Sequence, residues 1–138
     1  MPSYVLDTSA IMCVLFQEDG AETVMEVLRK SQGQPEQVNA PVIVPFIALM
    51  ETEYWLLRRL SAREAAETLF LVENWPVEVQ ESSSDWRHEA ARVKAAASLS
   101  VADAWIASLA ILHQCELVHK DPEFDQVDGL KMIRLPYK

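Results

Sequence analysis

Cysteines, glycines and basic residues are scarce in this chain, and each scarcity excludes a class of protein. The two cysteines, Cys13 and Cys115, form no CxxC pair, so no disulfide framework is expected, and neither joins His88 or His113 in a spaced zinc-ligand set. No apolar run is long enough to span a bilayer, and the first residues lack the pattern of a signal peptide. We therefore expect a cytoplasmic protein without a membrane segment, with both thiols buried in a reducing compartment.

The charge balance is acidic, with 21 Asp and Glu against 12 Lys and Arg and a formal net charge of −9. Taken alone, this balance argues against binding to nucleic acid, because contacts to phosphate come mostly from Lys and Arg. Acids gathered around a divalent cation would instead form a local attraction for phosphate. The function therefore depends on whether the fold brings the acids together.

Short apolar strands alternate with longer helices along the whole sequence. Strands are predicted at 3–7, 42–44, 77–79, 116–119 and 132–135, and helices at 10–16, 21–29, 46–60, 62–73, 86–97 and 101–113. Thr8 or Ser9 is expected to cap the first helix, Ser61 and Ser100 each begin a capping box, and 32–41 is the best loop candidate. This order predicts one three-layer α/β domain over residues 1–138, with a mainly parallel central sheet.

Two acidic residues follow predicted strands at the edge where parallel sheets bind their ligands. Asp7 ends the first strand, and Asp121 comes two residues after the fourth strand. Asp103 lies in the first turn of a helix, and Glu51 lies inside an apolar helix that could line the same edge. Each acid also has a purely structural explanation: a helix cap, a capping box with Ser100, a solvated helix position or an acidic turn.

Four short motifs occur in an order and at a spacing typical of a known family. They are Val5-Leu6-Asp7-Thr8-Ser9-Ala10, Ala48-Leu49-Met50-Glu51 with Tyr54, Leu99-Ser100-Val101-Ala102-Asp103-Ala104 with Ile106-Ala107, and Leu117-Val118-His119-Lys120-Asp121 with Phe124. Together they resemble the PIN domain, and most closely the VapC-type toxins of prokaryotic toxin–antitoxin pairs. The family usually has Thr where this chain has His119, and we interpret His119 as replacing the local hydrogen bonds of that Thr.

The resemblance implies an α/β/α PIN-like nuclease that cleaves RNA internally with the help of Mg²⁺ or Mn²⁺, the hard cations that carboxylates bind. Asp7 and Asp103 are then the expected principal metal ligands. Glu51 and Asp121 would complete the catalytic site, directly or through water, and help to orient the nucleophile. Ser9 would form a hydrogen bond to a carboxylate ligand or to a metal-bound water without binding the metal itself.

The resemblance also implies two protein partners, a cognate antitoxin and a second copy of the chain in a homodimer. The helix at 46–60 is apolar on nearly every side, which fits an interface, an antitoxin groove or a central core helix equally well. Arg58, Arg59 and Arg63 could hold the RNA backbone or merely complement a helix C-terminus. Two alternatives to a toxin stay open: a free-standing RNA-processing PIN nuclease and a non-catalytic PIN-like binding module.

Overall fold

The computed structural model describes residues 3–31 and 41–137, in which strands and helices alternate as predicted. The strands are β1 Tyr4–Leu6, β2 Val42–Pro45, β3 Glu78–Gln80, β4 Glu116–His119 and β5 Lys131–Arg134. The helices are α1 Thr8–Leu15, α2 Ala21–Lys30, α3 Phe46–Arg59, α4 Ala62–Glu73, α5 Ser84–Ala96 and α6 Val101–His113, and a 3₁₀ turn covers Pro122–Gln126. The predicted loop at 32–41 lies outside the described residues except for Pro41.

The strands form one sheet in the order β3-β2-β1-β4-β5, and every neighbouring pair is parallel. Every residue of β1 and β2 is buried, although successive side chains of a strand point to opposite faces of the sheet. Helices must therefore cover both faces at the centre, as in other parallel sheets. This arrangement confirms the predicted three-layer α/β class.

An aromatic cluster packs α3, α5 and α6 together. The ring of the buried Trp86 meets Phe46 and Trp105 edge to face, with centroids 5.5 and 5.0 Å away. Its indole N–H donates to the carbonyl of Trp105 at 2.8 Å and lies 3.0 Å from the Ser108 hydroxyl.

The described residues contain no single helix that is long and apolar enough to cross a membrane; α5 and α6 meet those criteria only as a pair bent by 117°.

The start of α1 differs from the prediction. Neither Thr8 nor Ser9 caps this helix; Asp7 is the N-cap, and its carboxylate accepts the backbone N–H of Ser9 at 3.0 Å. Asp7 is the single residue between β1 and α1, and helical geometry begins two residues before the predicted Ala10. The capping box at Ser61 is confirmed, since Ser61 and Glu64 each bond the other's backbone N–H.

Candidate active site

The two strand-end acids emerge side by side because their strands are neighbours. Leu6 of β1 pairs with Val118 of β4, and the backbone N–H of Asp7 donates to the carbonyl of Val118 at 3.0 Å. Asp121 follows β4 at this same edge, with only Lys120 between them. The carboxyl ends of the two central strands thus place Asp7 and Asp121 together, as the sequence predicts.

Helices α3 and α6 bring the other two predicted acids to this edge. Thr8, the first residue of α1, donates its hydroxyl to Glu51 Oε1 at 2.6 Å, which holds the Glu51 side chain beside Asp7. The Ser100 hydroxyl accepts the backbone N–H of Asp103 at 3.1 Å. Among the described residues, the Asp103 carboxylate accepts no bond from the backbone N–H of Ser100, so only half of the predicted capping box forms. The Asp103 carboxylate is therefore free to join the acid cluster.

A fifth acid, Glu123, joins the cluster and is missed by the sequence prediction. Carboxylate oxygens of Asp103, Asp121 and Glu123 lie within 4.8 Å of one another, close enough to share one cation. The 3₁₀ turn creates this approach, because Asp121 caps it and accepts the backbone N–H of Glu123 at 3.0 Å. The sequence signal was available: an Asp followed by Pro begins a tight helical turn that returns the next residue towards the cap. Asp7 and Glu51 lie outside this closest set.

The electrostatics of the cluster are those of carboxylates without a counter-charge. Burial, partly offset by the hydrogen bonds from Ser9, raises the pKa of Asp7 to about 6. Burial, and then repulsion from Asp7, Asp121 and Glu51, raises the pKa of Asp103 to about 8. The ammonium group of Lys120 bonds instead to Glu18 Oε1 at 3.2 Å. An all-oxygen donor set with unbalanced negative charge fits Mg²⁺ or Mn²⁺.

Ser9 ties the acid cluster to the sheet. Its hydroxyl donates to Asp7 Oδ2 and accepts the backbone N–H of Lys120 at 2.8 Å, so the ends of β1 and β4 are joined through one side chain. Both bonds from Ser9 fall on Oδ2 of Asp7, and within the described residues Oδ1 accepts none. The Asp7 side chain is therefore oriented with one oxygen available to a cation.

Comparison with known proteins places this geometry in a family. The family model of the PIN domain matches residues 4–130, which is nearly the whole chain. The chain belongs to the PIN-domain family. A search among curated protein sequences gives no significant match.

Solved structures share the fold of this PIN domain at low sequence identity. VapBC2 from Rickettsia felis, bound to a DNA fragment from its promoter, has a TM-score of 0.78 at 18% identity over 96% of this chain and 98% of that one. VapC20 from Mycobacterium tuberculosis, a toxin that cleaves the sarcin-ricin loop, has a TM-score of 0.70 at 19% identity, covering 96% and 99%. VapBC-5 from the same organism has a TM-score of 0.67 at 21% identity, covering 97% and 100%.

His119 is a positioning residue in this PIN domain. Its side chain is 0% exposed, packs edge to face on Phe124, and accepts the backbone N–H of Asp121 on Nδ1 at 3.1 Å. Burial lowers the pKa of His119, so the ring is neutral and carries its proton on Nε2, which lies 3.1 Å from the sulfur of Met132. A buried ring cannot touch substrate, which supports the interpretation that His119 replaces local hydrogen bonds made elsewhere by Thr.

We expect His119→Ala to lower the free energy of unfolding by about 3 kcal/mol, because it leaves a cavity against Phe124 and frees the Asp121 N–H. Urea unfolding followed by circular dichroism measures the change. His88→Ala is the matched control: His88 is exposed on α5, and its loss should change stability by less than about 0.5 kcal/mol. Equal stability of the two variants would refute the positioning role.

Proposed function

We propose that this PIN domain is an endoribonuclease dependent on Mg²⁺ or Mn²⁺, and that it is the toxin of a toxin–antitoxin pair. The observation that carries the proposal is the convergence of Asp7, Glu51, Asp103 and Asp121, with Glu123, at the carboxyl edge of the sheet. Family membership and the fold shared with VapC toxins support a nuclease of the toxin–antitoxin kind. RNA as the substrate and the requirement for a metal ion go beyond family membership, and the experiments below test them.

Each acid has a proposed role that follows from its surroundings. Asp103, Asp121 and Glu123 would hold the cation between them, and Asp7 would add its Oδ1 oxygen. The bound ion would neutralise the cluster, attract the phosphodiester and lower the pKa of a water molecule. Glu51, fixed through Oε1 by Thr8, keeps Oε2 available to orient the attacking water.

The nucleophile in this proposal is water and not the ribose 2′-hydroxyl. Attack by water breaks the bond between phosphorus and the 3′ oxygen, leaving a 5′-phosphate on one product and a 3′-hydroxyl on the other. Attack by the 2′-hydroxyl would need an acid–base pair near the phosphate, typically two histidines. Here His119 is buried, while His88 and His113 lie on the outer surfaces of α5 and α6.

A cleavage assay tests the proposal directly. Purified protein is incubated with structured RNA in Mn²⁺, and excess EDTA is then added. We expect RNA cleavage to begin when the cation is present and to stop when the chelator is added. The same assay separates this nuclease from a non-catalytic binding module, which has no need of a cation and produces no new RNA ends.

We further propose a homodimer formed through the outer face of α3 and α4, besides a cognate antitoxin. Helix α3 buries only the stripe Ala48, Thr52 and Leu56. Its Leu57 is half exposed, and Phe70 and Leu71 of α4 are 63% and 61% exposed. Large apolar side chains left exposed on two helices that pack against each other are typical of an interface. The matched VapBC structures are toxin–antitoxin complexes, which supports the antitoxin as a second partner.

We expect light scattering at micromolar concentration to give the mass of a dimer, and Leu71→Glu to give that of a monomer, because a charge would be buried in the apolar interface. Leu112→Glu is the matched control, since Leu112 is an exposed leucine near the end of α6 and is not part of the proposed interface. A monomeric wild-type protein, or a Leu71→Glu variant that stays dimeric, would contradict this interface.

A further inference from the structure

A row of aromatic and arginine side chains leads away from the acid cluster along α3. Glu51, Trp55 and Arg59 follow one another at four-residue intervals, which places them on one face of the helix with about 6 Å of rise per step. We call the set Phe16, Tyr54, Trp55, Arg58 and Arg59 the stacking row. The row therefore begins one helical step from an acid of the proposed active site.

The members of the stacking row contact one another face to face. The guanidinium carbon of Arg59 lies 4.3 Å from the ring centre of Trp55 and 5.7 Å from that of Phe16. The Tyr54 and Trp55 rings are stacked, with centroids 5.6 Å apart and planes inclined by 22°, and Arg58 lies 5.6 Å above Tyr54. The row is thus a series of flat side chains in the order Phe16, Arg59, Trp55, Tyr54 and Arg58, with three rings and two cations.

An open groove of about 690 Å³ lies beside the stacking row and extends to Ser9, the neighbour of the acid cluster. Phe16, Trp55 and Arg59 line it together with Ser9 and Lys120. Two acids, Glu18 and Asp19, also line it, and Glu18 is paired with the Lys120 ammonium group at 3.2 Å. Ser9 is the residue whose hydroxyl holds Asp7, so the groove opens directly beside a proposed cation ligand. A chain molecule with one unit at the acids would have its next units in this groove.

The charge of the stacking row is unusual for this acidic protein. Across residues 3–31 and 41–137, no carboxylate lies within 4.0 Å of the guanidinium of Arg58 or Arg59. Four of the five other arginines, all but Arg87, do form such ion pairs: Arg29, Arg63, Arg92 and Arg134. The two cations of the row are therefore available to an anionic ligand although the chain carries a net charge of −9.

We infer that the stacking row binds unpaired bases of single-stranded RNA next to the phosphate that is cut. The inference rests on the proposed function and adds to it the residues that hold the bases beside the cut. Aromatic faces that take bases, combined with cations that take the backbone, are how proteins bind single strands without duplex geometry. An apolar peptide segment would fit less well, because it would desolvate Arg58 and Arg59 without supplying a negative partner.

The binding test uses fluorescence anisotropy of a labelled single-stranded RNA in the Asp103→Asn background, where cleavage is prevented. Trp55→Ala should raise Kd roughly 5- to 100-fold, the range that stacking one base supplies. Trp55→Phe keeps a ring and should stay within about threefold of the parent. Leu112→Ala is the control, since it removes an exposed apolar side chain on α6, outside the row, and should leave Kd unchanged.

A scan of the RNA with abasic nucleotides distinguishes a stacked base from a general loss of affinity. With Trp55 present, one or two adjacent positions next to the cut should weaken binding when their base is removed. With Trp55→Ala these same positions should lose their effect, because base and ring act as a pair. An unaltered abasic profile in Trp55→Ala would overturn the inference.

Different results would refute the stacking row and the nuclease activity. If Mn²⁺-dependent cleavage is found but Trp55→Ala leaves both KM and Kd for RNA unchanged, the stacking row is refuted and the nuclease stands. A Trp55→Ala variant that instead loses binding to a protein partner, with RNA affinity intact, also refutes it. If RNA binds through Trp55 but no condition produces cleavage, the nuclease is refuted and the stacking row stands.

Discussion

Asp7→Asn is expected to lower the rate of RNA cleavage by about 10³-fold or more while the protein stays folded, since cation assistance supplies several kcal/mol to phosphodiester hydrolysis. Asn keeps the shape of the side chain and can still accept the Ser9 N–H bond that caps α1. It removes the negative charge that would hold a cation beside the phosphate. Initial rates in Mn²⁺ and circular dichroism of the same samples measure the two parts of this prediction.

Asp103→Asn should lose cleavage to a similar extent, and α5 offers its matched control. Asp85 lies in the first turn of α5 after the cap Ser83, as Asp103 lies in the first turn of α6 after the cap Ser100. Asp85→Asn removes the same charge from the first turn of a helix outside the cluster, and should leave the rate unchanged. Equal rates for Asp85→Asn and Asp103→Asn would show that the cluster has no special role.

The second large effect concerns stability. In metal-free buffer, the melting temperature should fall as the pH rises from about 5 to 9. Asp7 and Asp103 have pKa values of about 6 and about 8, above the usual value of an Asp in an unfolded chain. The folded state therefore binds protons more tightly, and the stability from those protons is lost as the pH rises through these values. Asp103→Asn should raise the melting temperature at pH 8 by several degrees.

A divalent cation should reverse this pH dependence. Mn²⁺ at about 100 times its Kd should stabilise the fold by about 2.7 kcal/mol, because the unfolded chain has no assembled site. For a domain of this size that corresponds to a rise of roughly 10 °C in melting temperature. Asp103→Asn should weaken this response and Asp85→Asn should not. A melting curve that does not move across millimolar Mn²⁺ would count against the cation site.

The alternation of strands and helices could be predicted because the short runs around Val5, Ile43 and Leu117 are apolar on both faces. The start of α1 could not be predicted from the sequence, since Asp7, Thr8 and Ser9 can all cap a helix. The choice is made by tertiary bonds, because the Thr8 hydroxyl is bonded to Glu51 and the Ser9 hydroxyl accepts the backbone N–H of Lys120.

The acids at strand ends were predictable from local pattern, since parallel strands align their carboxyl ends. Glu51 and Asp103 needed the family resemblance, because nothing in a helix sequence alone says which way its axis points. Glu123 was missed because its place depends on the 3₁₀ turn, hidden in a stretch of acids. The contact of Phe16 with Arg59 joins α3 to the residue after α1, and no sequence pattern connects them.

Mapping the ends of the cleaved RNA is the most direct test of the central claim that a carboxylate-held cation drives hydrolysis by water. Structured RNA is cut by the wild-type protein in Mn²⁺, in parallel with EDTA and with Asp7→Asn, and the new termini are identified. We expect 5′-phosphate and 3′-hydroxyl ends that appear only with the cation and with Asp7 intact. Cyclic-phosphate ends, or cutting that survives EDTA, would contradict it.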